Sequence, residues 1–337
     1  MVAPGECCVG HGGLISARME PVTEWDVVVL GGANTDYLVR GSALPASGAT
    51  LNGSEFLEAP GGQGANQAVA AARLGARTAL VASVGRDHRG SSLIAAVANE
   101  GVHVSCVILH NDAQTGAAVI QVDERGRKQS LVAPGANRLM RVQDVHAARE
   151  TITSSRILLT QLDVPIECVL AAARIARDAR TRIMLDPAPA APLPDELVAS
   201  LACVRGNKAE IEMLTDVRVH GPQSARHAAA VLLSRGVEAV IVEADEQGDL
   251  LVWQSGEEWL PRLPVKVIDA TGAGDAFSAA VAVALAEGRS FTAAGRLGCA
   301  AAALATTKLG AQAGLPRRFE LQSYLDELAG HHETHHT

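Results

Sequence analysis

Short aliphatic runs recur along the chain, each followed by a longer Ala-rich stretch with helical spacing. The runs at residues 27–30, 79–84, 157–160, 182–185 and 239–242 have strand length and no regular polar alternate. Strands of that kind sit in the middle of a parallel sheet, buried on both faces by helices. Residues 65–74, 91–100, 166–179, 224–234, 275–287 and 293–306 predict those helices. Repeated β-α alternation predicts a doubly wound α/β fold, with a mostly parallel sheet, helices on both faces and ligand sites at the C-terminal strand ends.

Two stretches break the rhythm. Residues 37–58 and 114–133 read as short antiparallel strands, with turns at Gly48 and at Arg125-Gly126. Placed between βα units, they predict a small β-sheet projecting over the site as a lid. Residues 1–24 carry Gly, Cys and Pro without a period and are expected to form a disordered extension, with Met19 a candidate translation start. A single α/β domain is expected over 25–328, and an unstructured His-containing tail over 329–337.

Composition narrows the classes of partner. The 337 residues are 48% hydrophobic and 20% charged, enough for a large core. A net charge of −8 and 3% aromatics disfavour nucleic acid and anionic membranes, which need basic faces or stacking platforms. No apolar run reaches the length needed to span a bilayer. The six cysteines show no C-x-x-C spacing and there is no secretory signal pattern, so reduced thiols in the cytoplasm are expected.

The candidate chemistry lies in two glycine motifs. In Asp269-Ala270-Thr271-Gly272-Ala273-Gly274-Asp275, the glycines permit a tight turn and Asp275 falls at a helix start. Free N–H groups there bind anions, while a carboxylate can take a proton from an attacking hydroxyl. By itself this run is also what a glycine turn with an Asp cap looks like. It is neither a Walker A loop nor a Rossmann fingerprint. The second motif, Gly61-Gly62-Gln63-Gly64-Ala65-Asn66, opens a helix and lets backbone approach a ligand, with Asn66 offering a donor and an acceptor to a polyol. Upstream, Asn34 and Asp36 follow the first strand, where open sheets place ligands, although an Asx turn reads the same way.

Taken together and in this order, the motifs resemble the two signatures of the ribokinase family of carbohydrate kinases. The first is continued by Ala72-Arg73-Leu74-Gly75; the second matches D-T-x-G-A-G-D-x-F with Ala270 in place of Thr. The likeness runs from about residue 27 to 325 and includes 186–190 (DPAPA), 193–197 (LPDEL) and 310–312 (GAQ). It implies that Asn34, Asp36, Gly62, Gln63, Asn66 and Asp163 hold a sugar. Gly272, Ala273 and Gly274 would form an anion hole for ATP phosphates, with Asp275 as base. Asn207 and Glu210 would support the phosphates and Mg²⁺ through water, and Glu243, Gly248 and Cys299 would line the nucleotide site. Asp269, Thr271, Ala305, Lys308 and Gly310 would surround a monovalent cation, K⁺, mainly through backbone carbonyls.

The expected substrates are therefore ATP and ribose, with a nucleoside, deoxyribose or keto-sugar acid as alternatives. A non-catalytic sugar-binding descendant is the reading from another class. Departures bear on the choice. Gln63 stands where a Lys is usual, Asp163 where a Glu is, and Gly314 where a Ser is. The stretch 243–248 (EADEQG) replaces T-x-G-x-x-G and would repel ATP if its acids pointed inward, so they are expected to face solvent. Unpaired lid edges predict a homodimer through the lid strands.

Overall fold

The computed structural model describes residues 23–334, with side chains through 328. The expectations for residues 1–22 and 335–337, including Cys7, Cys8 and Met19, lie outside the described residues. In chain order the first half comprises β1 (Trp25–Leu30), β2 (Asn34–Gly41), β3 (Gly53–Gly61), α1 (Gln63–Arg73), β4 (Thr78–Gly85), α2 (His88–Asn99), β5 (Val107–His110), β6 (Gly116–Val122) and β7 (Lys128–Ala133). Then come α3 (Val142–Ala147), α4 (Arg149–Thr153), β8 (Ser155–Thr160), α5 (Ile166–Ala179), β9 (Arg182–Leu185), α6 (Asp195–Val198), β10 (Cys203–Gly206), α7 (Lys208–Thr215) and α8 (Pro222–Ser234). The last part holds β11 (Ala239–Asp245), β12 (Gly248–Trp253), β13 (Gly256–Pro261), α9 (Ala273–Ala286), α10 (Phe291–Ala305), α11 (Ala311–Gly314) and α12 (Arg318–Thr334).

Nine strands form one sheet in the order β13-β12-β11-β10-β9-β8-β1-β4-β5. All neighbours from β5 to β11 are parallel, and β12 and β13 close one edge as antiparallel strands. Each central strand feeds two cores, as the sequence pattern requires. Val27 and Val29 face the layer containing α1, α9 and α10, while Val28 and Leu30 face the layer of α5 and α8. The chain leaves β1 toward β4 and β5 and later returns to β8, so strand order reverses between β1 and β8. A crevice at the C-terminal ends opens at such a switch point.

The second sheet has the order β3-β2-β6-β7. It is the expected lid, with one difference: its central pair, β2 and β6, is parallel, because α1, β4, α2 and β5 intervene between them. Leu38, Ala118, Ile120 and Val122 pack beneath it against Leu57 and Leu309.

Four strands escaped the pattern. β10 is four residues long and contains Arg205 and Gly206; β5, β12 and β13 lie toward the edges. α9, expected to be amphipathic, is buried on every side from Asp275 to Ala286. Its small side chains let it pack between α10, α1 and the sheet. α12 continues to Thr334, so helix replaces the expected tail over 329–334. Among the described residues the cysteines are free thiols, and no helix is long and apolar enough to cross a membrane.

Candidate active site

The first glycine motif is a contact surface between α1 and the end of β1. An ideal Cβ on Gly64 would lie 2.5 Å from the carbonyl carbon of Gly31. Gly62 adopts φ 89°, and a Cβ there would come 2.7 Å from the Ala33 Cα. Only glycine allows both the left-handed turn and this approach. Ala65 N–H then donates to the Gly32 carbonyl at 3.1 Å, which fixes the start of α1 at the crevice.

Asn34 and Asp36 lie on β2 itself, not in the Asx turn that the sequence left as the alternative. Asn34 Oδ1 accepts from Asn137 Nδ2 at 2.8 Å, and Asn137 Oδ1 accepts the Ala33 N–H at 2.9 Å. Asn137, in the turn after β7, was not anticipated; no sequence spacing links it to Asn34. Asp36 is buried, and no hydrogen bond from a described residue reaches its carboxylate. Burial pushes its pKa up to about 7, with nearby Lys128 opposing and Asp269 adding to the rise. Asp163 Oδ1 accepts the Gly32 N–H at 2.8 Å, and burial raises this carboxyl to about 6. Gln63, the first residue of α1, is half-buried beside them.

Asp275 is the third residue of α9, behind Gly272 at φ 83°. Its carboxylate is gripped by two amides from α1: Asn66 Nδ2 to Oδ2 at 2.9 Å and Gln67 Nε2 to Oδ1 at 3.1 Å. The Asn66 carbonyl in turn accepts from Gln312 Nε2 at 3.1 Å. Asn66, expected to meet the polyol directly, is thus committed to the acid that would activate it. Gln67 Nε2 also reaches Asp186 Oδ2 at 3.1 Å, which accepts from Ser278 Oγ at 2.8 Å, while Gln161 donates to the Gln67 carbonyl. Burial, reinforced by Asp186, drives the Asp275 pKa up to about 7 against the pull of the two amides.

On α7, Asn207 and Glu210 form a reciprocal capping box. Asn207 Oδ1 accepts the Glu210 N–H at 3.0 Å, and Glu210 accepts the Asn207 N–H at 2.7 Å. Glu210 also accepts from Asn207 Nδ2 at 2.7 Å, so each carboxylate oxygen already holds one donor. Each keeps a lone pair, which suits an outer role toward a hydrated cation. Burial first, then Asp186, raises the Glu210 pKa.

The acidic stretch resolves residue by residue. Glu246 is exposed, and Asp245 Oδ1 caps the hairpin by accepting from Gln247 N at 2.7 Å and Gly248 N at 3.2 Å. Glu243 is half-buried, 3.6 Å from Arg262. Gly248 is packed so closely that a Cβ would lie 2.4 Å from the Leu260 carbonyl oxygen. Cys299, half-buried on α10, has its thiol pushed up to about 12 by burial and then by Asp249.

The two halves of the expected cation loop adjoin. Asp269 accepts from Thr271 N at 2.9 Å, Thr271 Oγ1 at 2.7 Å and Gly310 N at 2.8 Å. The N–H of Ile268 reaches the Thr306 carbonyl at 2.8 Å, next to buried Ala305. Lys308 points outward, 3.7 Å from Glu320. Gly314 has no room for a side chain: its Cβ would lie 2.0 Å from the Ala305 carbonyl oxygen. Among the described residues no three acidic, His or Cys groups converge as direct metal ligands, so a cation here would rest on carbonyls and water.

A sequence model described as pfkB family carbohydrate kinase matches residues 25–318. The chain belongs to the pfkB family of carbohydrate kinases. Among its pfkB relatives, a ribokinase of Haemophilus influenzae is 37% identical over 300 residues, 89% of this chain and 98% of that protein. A deoxyribokinase of Salmonella typhi is 30% identical, with 89% and 98% covered. The structure of Arabidopsis thaliana ribokinase complexed with ribose and ATP superposes with TM-score 0.79 at 30% identity, covering 89% of this chain and 98% of that one. The pfkB assignment agrees with the resemblance seen in the sequence, and the ribokinase-like fold with the observed sheet order.

Proposed function

We propose that this chain transfers the γ-phosphoryl group of ATP to a hydroxyl of ribose, giving ribose 5-phosphate and ADP. The observation that carries the reading is Asp275: buried, at the N-terminus of a 14-residue helix, and held by Asn66 and Gln67 from the first glycine motif's helix. The sugar oxygen forms the new bond to the γ-phosphorus as the bond to the β–γ bridging oxygen breaks. The proton passes to Asp275, and ADP leaves. N–H groups of Gly272, Ala273 and Gly274, at the positive end of the α9 dipole, would face the transferring group, that of Ala273 shared with the Ala270 carbonyl at 3.4 Å.

Asn34, Asp36 and Asp163 grip the sugar hydroxyls, with Asp36 accepting because its carboxylate has no protein donor. The lid, packed through Leu38 and Ile120, excludes water that would compete for the phosphoryl group. Mg²⁺, entering with ATP, would neutralise phosphate charge, supported through water by Glu210 and Asn207. K⁺ would sit among the carbonyls of the Asp269–Gly310 loop. Glu243, Gly248 and Cys299 border the nucleotide. A requirement for ATP fits a cytoplasmic enzyme. Val39, Phe56, Val119 and Leu131 form an exposed apolar outer lid face, which supports a homodimer clasped through the lid.

A second reading, phosphorylation of deoxyribose, is favoured by Asp163, whose shorter carboxylate is already committed to the Gly32 N–H. A coupled ADP-release assay over ribose, deoxyribose, hexoses and nucleosides, with Mg²⁺ and with or without K⁺, separates the readings. Ribose should give the highest kcat/KM. Higher turnover of deoxyribose selects the second reading, and absence of turnover with every sugar, together with no calorimetric ATP binding, refutes both.

A further inference from the structure

Arg205 occupies the third position of β10, two residues before the capping box at Asn207. An arginine in the middle of a nine-stranded sheet is costly to bury unless its charge and its donors are used. The charge is balanced: Asp249, Asp186, Glu210 and Glu243 all act on it, and together they outweigh burial to hold its pKa above the usual value. The donors are not used. Arg205 is 9% exposed, its Nε has no hydrogen-bond partner, and no carboxylate among the described residues comes into ion-pair contact with the guanidinium. Both oxygens of buried Asp249 are also without a hydrogen bond, although Arg262 comes within 3.0 Å of one of them. The two buried charges therefore offset each other without closing on each other.

The guanidinium is nonetheless held in one place. Its carbon stands 5.1 Å from the centre of the Phe277 ring. Nη1 lies 3.0 Å from where a Cβ on Gly274 would be, so the planar fork rests against the second glycine of the anion hole. Two independent features thus converge. One is the N–H groups of Gly272, Ala273 and Gly274, of which only that of Ala273 reaches a carbonyl among the described residues (Ala270, 3.4 Å); the other is an unpaired, nearly buried guanidinium. Both select an anion, and a planar fork of N–H donors matches phosphoryl oxygens.

We propose that Arg205 is a catalytic residue that donates to the non-bridging oxygens of the transferring phosphoryl group. This rests on the kinase reading and deepens it. In the transfer described above Arg205 moves no proton; it binds the charge that spreads over those oxygens as one P–O bond forms and the other breaks. Its position also answers two departures in the sequence: Gln63 carries no charge on the sugar side, and Glu243 brings a negative one on the nucleotide side.

The test uses Arg205→Gln and Arg205→Lys in the full chain. Because Arg205→Gln alone removes the positive charge that acts on four carboxylates, Arg205→Gln with Asp249→Asn is compared with Asp249→Asn alone. We expect kcat to fall about 10³-fold or more in the double variant relative to its background, the scale at which arginines act on phosphoryl transfer. Arg205→Lys should recover part of the loss. By calorimetry, ATP affinity should fall while AMP and ribose affinities stay within about twofold, a split that a purely structural role would not produce. A folded double variant with kcat within tenfold of its background, or equal losses of ATP and AMP affinity, overturns the inference. A wild-type protein that turns over no sugar overturns the kinase reading instead; an ATP-over-AMP preference unchanged by Arg205→Gln then overturns the inference separately.

Discussion

A general base for a sugar hydroxyl works best when its pKa lies near the working pH, and Asp275 is brought there by burial at about 7. kcat/KM should therefore rise with pH and level off above about 7, because the base must lose its proton before it can accept one. A flat profile between pH 5.5 and 8 would remove Asp275 from that role. Stability should run the other way. Asp36, Asp163 and Asp275 have folded pKa values of about 7, 6 and 7, above the ordinary 3.8, so the folded state binds more protons between these limits. Stability of the ligand-free protein should fall as pH rises from about 4 to 7, measured by urea midpoints; a rise across that window contradicts the assignment. At this scale the sequence singled out Asp275 but not its company. Asn66 and Asp275 stand 209 positions apart, and the pairing of an amide with a carboxylate at such range has no local signature. Arg205 was equally hidden, since its significance lies in burial and unspent donors.

The elements were read from periodicity where a strand is central and apolar, and lost toward the sheet edges at β5, β12 and β13 and where polar or small residues interrupt the run. β10 disappeared because Arg205 and Gly206 occupy half of it. The N-terminus of α1 was recognisable from its glycines, and the structure supplies their reason. Gly64→Ala should push α1 away from β1, costing about 2 kcal/mol by the usual penalty for overpacking. Ribose affinity should drop with it, and a variant of unchanged urea midpoint and affinity would refute that contact. Likewise Asn207→Ala removes one arm of the capping box and should cost about 1 kcal/mol in stability. In the 243–248 stretch the expectation that the acids face solvent holds for Glu246 but not for Glu243, which is half-buried and acts on Arg205, Glu210 and Asp249. Asp245 spends its carboxylate on the hairpin, and Glu246 projects into solvent.

For the whole molecule, strand order reverses between β1 and β8, and the turn between β6 and β7 reaches the loop before α9, where the Ala270 N–H donates to the Gly126 carbonyl at 3.3 Å. Alternating βα units announced that architecture; the parallel β2–β6 pair did not announce itself, because long-range strand pairing leaves no local trace. The outer lid face exposes Phe56 by 66% and Leu131 by 78%. Phe56→Glu with Leu131→Glu should convert a dimer to a monomer in light scattering at micromolar concentration. A wild-type monomer would remove the lid clasp. The most direct test of the central claim is the rate of ribose 5-phosphate formation by wild type and Asp275→Asn at saturating ATP and ribose, with ribose affinity measured alongside. The account predicts product from wild type and a loss of about 10²- to 10⁴-fold in the variant at nearly unchanged affinity. A variant that keeps its rate within a factor of a few contradicts it.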